Sequence, residues 1–86
     1  MCDLPPFAVI AGWKAFVYAN DHGVPHFHLR LDEQSIPIAI ADGRVLSGIL
    51  PPDVRKTVLA WLEDHREEAA AAWDAIREGR LPTWIE

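Results

Sequence analysis

Three of the four histidines in this 86-residue chain, His22, His26 and His28, fall within seven residues of one another. Imidazole is the commonest protein metal ligand and exchanges its proton near neutral pH, so such a cluster suits two chemistries, metal ligation and proton transfer. Side chains of an extended segment alternate with period two, which puts His26 and His28 on one face with Cβ atoms about 6–7 Å apart. That spacing lets both reach one ion. His22 or an acid would then complete a zinc or iron site with an open position. The cofactor expectation is therefore a divalent metal such as zinc, held by His22, His26 and His28. A second chemistry uses the same histidines as general acid and base in RNA cleavage, with Arg30 on their face to hold a phosphate. His22, His26, His28 and Arg30 together make the candidate functional face. The reading without chemistry has Gly23 and Pro25 shaping a tight turn, with the histidines bonding its backbone or lining a solvated surface.

Other sites are excluded more directly. The spacing of His26, His28 and Glu33 imitates the metal motif of cupin barrels. Strand alternation, however, turns Glu33 away from the histidines, and 86 residues ending in helical sequence are too few for that barrel. The five glycines are scattered, so no phosphate-cradling loop exists, and Ser35 and Ser47 sit in strand-like sequence without a nucleophile motif. The lone Cys2 allows neither an intrachain disulfide nor a thiolate cluster.

The formal net charge is −5, with acids exceeding bases five to three in residues 1–50 and eight to five in residues 51–86. Generic nucleic-acid binding neutralises phosphates with Lys and Arg, so this balance argues against it while leaving room for a local patch. No apolar run approaches the roughly 20 residues that cross a bilayer, and the first ten residues lack a signal-peptide pattern. A cytoplasmic protein with a protein partner or a second copy of itself is the expectation, with no membrane association.

The elements that must position the histidines follow from patterning. A chain of this length buries only about 60–65% of its unfolded surface and builds one core, so residues 1–86 read as a single domain. Residues 7–50 read as short strands and residues 51–79 as helical, an order that predicts α+β. In residues 13–19 both alternating rows are largely apolar, which suits a central strand. Residues 26–32 separate cleanly: Phe27, Leu29 and Leu31 face one way, His26, His28, Arg30 and Asp32 the other. Pro37 marks residues 35–41 as an edge strand, and Asp42-Gly43 predicts a two-residue turn into a last strand over residues 44–49. Pro52 suits a first helical position, and Asp64 with Glu67 has the pattern of a capping box opening a second helix that ends at Gly79. The expected fold is thus a four- or five-stranded, largely antiparallel sheet with two C-terminal helices on one face. Phe27, Leu29, Ile38, Trp61, Leu62 and Trp73 should form its core. Leu81, Trp84 and Ile85 should dock on the domain or on another chain.

HGVPHFH at residues 22–28, the Gly43 turn, GILPP at residues 48–52 and WLEDHREEAAAAW at residues 61–73 occur in the order and spacing of one bacterial family. Over residues 7–77 the chain resembles the domain-of-unknown-function family 4160. The resemblance implies a small bacterial protein without an assigned activity, associated with toxin–antitoxin-like gene pairs. Its signature positions here are His22, Pro25, His26, Phe27, His28, Gly43, Gly48, Pro51, Trp61, His65 and Trp73. Arg30 and Leu31 depart from the acid and aromatic common in that family, which removes an acid from the histidine face and favours an anion near Arg30.

Overall fold

The computed structural model describes residues 5–19 and 23–85. Cys2, Asn20, Asp21 and His22 lie outside them. Four strands, β1 (Ala8–Ile10), β2 (Trp13–Phe16), β3 (His26–Leu31) and β4 (Gln34–Ala39), form an antiparallel meander in sequence order, followed by one helix, α1 (Pro52–Arg77). The α+β class and the four-stranded sheet match expectation. The two helices do not.

β1 lies within the stretch read as short strands, but its three residues carry too little pattern to fix its bounds. It pairs with β2 through Ala11 and Gly12, whose φ angles of 51° and 82° are both positive, as a two-residue hairpin turn of the right twist requires. Glycine takes such an angle at little cost. β2 lies inside the sheet, with Trp13, Ala15 and Val17 buried on the core side. β3 alternates as its sequence predicts over Phe27 and Leu29, both fully buried, but Leu31 is exposed instead of core. It pairs with Gln34 beside the β3–β4 turn, beyond the covered part of the sheet.

β4 is an edge strand, as Pro37 requires. The Pro37 carbonyl accepts from the Leu46 amide at 2.9 Å on the outer side. Since N and O of one residue point the same way in an antiparallel ladder, the missing proline donor also faces outward and costs no bond to β3. The expected last strand shrinks to a single bridge, Ile38 with Val45. The Asp42-Gly43 pair is not a two-residue turn: the Ala39 amide donates to the Arg44 carbonyl, which leaves four residues in the loop, and the Arg44 amide donates to Asp42 Oδ1. Gly43 has φ 73° and lies under α1, where an added Cβ would overlap Leu59 and meet Leu62 at 3.3 Å.

α1 begins with Pro52 at its first position and ends as expected at Gly79, whose amide donates to the Ile76 carbonyl while that of Arg80 donates to Ala75. This pair of bonds is the closure that lets a left-handed glycine end a helix. Between the ends the backbone leaves helical geometry only at His65 (φ −127°, ψ 17°), where the helix bends and continues. The capping-box pattern coincides with the bend at His65, but the helix resumes there instead of ending, and no Gly or Pro lies between residues 53 and 78 to break it.

The helix covers the face of the sheet carrying Phe7, Phe27 and Ile38. Phe27 meets Phe7 edge-on at 5.9 Å and Trp61 at 6.0 Å. Of the expected core residues, Phe27, Leu29, Ile38, Leu62 and Trp73 are buried and Trp61 is half-buried. The tail docks on the domain through Ile85, buried, whose amide donates to the Phe7 carbonyl at 2.7 Å, while Leu81 and Trp84 stay exposed.

Candidate functional site

The register of the sheet defines the face opposite the helix. Lys14 stands across from Arg30, Phe16 from His28, His28 from Pro37 and Arg30 from Ser35. His26 and His28 are half-buried and Arg30 is exposed, so three of the predicted site residues do share this face. His22 lies outside the described residues.

The rings form a connected row. Phe16 and Tyr18 are parallel within 4° at 6.0 Å, Tyr18 lies 4.9 Å from His28, and His28 lies 5.1 Å from His26. At the far end His26 contacts Trp73 of α1 at 5.1 Å, and the Arg77 guanidinium covers Trp73 at 4.1 Å. At the near end the Arg30 guanidinium lies 5.6 Å over Phe16 and donates a long bond to Tyr18 Oη at 3.4 Å. The order arises because residues two apart on a strand meet along it, while the diagonal pair Tyr18 and His28 meets across it, Phe16 being the direct partner of His28.

His26 is held by its turn. A carbonyl can only accept, so the 2.7 Å contact between Nδ1 and the Val24 carbonyl places a proton on Nδ1, and the lone pair of the neutral ring falls on Nε2. Gly23, at φ 91°, gives the turn the left-handed step its sequence anticipates. Among the described residues, no three His, Cys, Asp or Glu side chains are grouped to hold a metal ion.

The sequence reading overlooked Lys14, Phe16 and Tyr18. Their alternation in residues 13–19 was visible, but with both rows apolar it signalled burial, not a shared face with Arg30. His65, on α1, is remote from the row; it donates from Nδ1 to Glu68 at 2.7 Å and stacks on Trp61 at 5.1 Å.

The family model described as "Domain of unknown function (DUF4160)" matches residues 12–74, which include β2, β3, β4 and the rings of this face. The chain belongs to that family. The matched span takes in Phe16, Tyr18, His26, His28, Arg30 and Trp73, so this member of the family carries the whole row inside the shared domain. No match is found among curated proteins or among solved structures.

Proposed function

We propose that this domain is a non-enzymatic recognition module that acts in the bacterial cytoplasm as one member of a toxin–antitoxin-like pair. The observation that supports it is the uncovered sheet face, where a row of rings flanked by Lys14 and Arg30 stands half-exposed on a rigid four-stranded scaffold. Aromatic rings and arginine are the side chains that carry most binding energy at recognition surfaces. Around Lys14, Phe16, Arg30 and Asp32 the surface dips into a shallow depression of about 380 Å3, open to solvent, which suits docking better than a reaction that must exclude water. The pairing with a second protein rests on the family resemblance and on exposed apolar residues such as Ile49, Leu81 and Trp84.

A photo-reactive phenylalanine analogue at position 16 should yield discrete cross-linked species in the native host, and the same analogue at Lys56 on the helix should yield none. Equal cross-linking from both positions would remove the sheet face from the proposal.

A histidine-dependent alternative is favoured by one observation, the 5.1 Å approach of His26 to His28 beside Tyr18 and Arg30. In it, His22, His26 and His28 bind a divalent metal such as zinc, or serve a ribonuclease-like toxin as acid and base. Stoichiometric metal in protein purified without chelators, or RNA cleavage that disappears in His26→Ala/His28→Ala, would establish this alternative and displace the recognition module.

A further inference from the structure

The uncovered face differs in charge from the molecule that carries it. Seven of the thirteen acids, Asp53, Glu63, Asp64, Glu67, Glu68, Asp74 and Glu78, lie on α1 or at its end beside four of the eight bases, Arg55, Lys56, Arg66 and Arg77, a local net charge of −3. On the sheet face the positions fixed by strand pairing are Val9, Lys14, Phe16, His26, His28, Arg30, Ser35, Pro37 and Ala39, without one carboxylate. Asp32 and Glu33, both exposed, form the β3–β4 turn at its rim. The net charge of −5 therefore says little about this surface.

Two features of the face point to an anion that also carries flat rings. The first is the direct cross-strand pairing of Lys14 with Arg30. Like charges opposite each other destabilise a sheet, and no carboxylate forms an ion pair with either among the described residues, so a bound anion would relieve the repulsion. The second is the row of rings itself, with Phe16 and Tyr18 parallel, His28 tilted 52° against Tyr18, and His26 edge-on to His28 along β3. Four-stranded sheets bind single-stranded nucleic acid in this way: bases stack on ring faces while neighbouring cations take the phosphates. A duplex keeps its bases stacked inside and cannot use the rings. An acidic peptide would satisfy Lys14 and Arg30 but has no planar groups for the row.

We infer that the sheet face binds single-stranded nucleic acid, stacking bases on the Phe16–Tyr18–His28 row and holding phosphates with Lys14 and Arg30. This deepens the recognition reading, on whose choice of face it rests, by naming the target class. On the order of four nucleotides, near the lower bound for one binding domain, would span the row.

The test is fluorescence anisotropy of the full chain with a labelled mixed-sequence 12-nucleotide RNA, the DNA of the same sequence, and the corresponding duplex, at two salt concentrations. Both single strands, or the RNA alone through its 2′-hydroxyls, should bind more tightly than the duplex. Phe16→Ala should weaken binding by about tenfold or more, as loss of one stacked base does. The exposed Lys14→Ala, which leaves the core untouched, should weaken it and lower the salt dependence by about one phosphate contact. Arg55→Ala, on the helix, should have no effect. A folded wild-type chain that binds no single strand at low salt, binds duplex equally well, or binds undiminished after both Phe16→Ala and Lys14→Ala would overturn the inference. If a protein is cross-linked through position 16 while no nucleic acid binds, the inference falls and the recognition module stands. If RNA is bound and cut in a His26- and His28-dependent manner, the non-enzymatic module itself falls.

Discussion

His26 shows how one side chain can serve both the turn and the face. Its Nδ1 is committed to the Val24 carbonyl, and its ring fills the space between His28 and Trp73. A part-exposed hydrogen bond contributes about 0.5–1.5 kcal/mol and an aromatic contact a similar amount. His26→Ala should therefore lower unfolding free energy in urea by about 1–2 kcal/mol, well below the roughly 3–5 kcal/mol expected for emptying the fully buried Phe27 site. A His26→Ala protein as stable as wild type would mean that the ring contacts are incidental. Arg77, over the other aromatic in this cluster, adds a cation that shields Trp73 and donates to the Ala19 carbonyl at 3.5 Å, tying the end of α1 to the segment after β2.

Among the elements, α1 separates two readings of the same residues. If Asp64 capped a second helix, Asp64→Ala would cost about 1 kcal/mol, the usual loss for a capping side chain. With one helix bent at His65, the substitution lies on an exposed surface and should change stability by less than about 0.5 kcal/mol in the same urea measurement. Strand elements were legible in proportion to their patterning. Residues 26–31 alternate without interruption and appear as β3; Pro37 places β4 at the edge; Pro52 and Gly79 mark the helix ends. β1, with three residues, gave no periodicity, and the strand expected after Gly43 reduces to the one bridge of Val45 with Ile38. The His26 and His28 face was legible because period-two alternation is local. Its neighbours Lys14, Phe16 and Tyr18 were not, because which strands lie side by side depends on pairing that the sequence does not display.

At the scale of the whole molecule, helix and sheet divide the labour. α1 covers one face and buries the apolar rows of β2 and β3, and Ile85 closes the core beside Phe7. Most of the negative charge is carried by the helix, away from the paired positions of the open face. No helix among the described residues is long and apolar enough to cross a membrane. With Arg55, Lys56, Arg66 and Arg77 on it, α1 with its cap nets −3 against +2 at the paired positions of the face, a modest separation that draws a polyanion toward the sheet.

The most direct test of that open face as a single-strand binding surface is a 1H–15N correlation spectrum of the full chain titrated with the single-stranded 12-nucleotide RNA. Saturable shifts should concentrate at the amides of Lys14, Phe16, His28 and Arg30, with residues 53–64 of the helix unmoved. An unchanged spectrum, or shifts confined to the helix and to the exposed apolar residues Ile49 and Leu81, would contradict it.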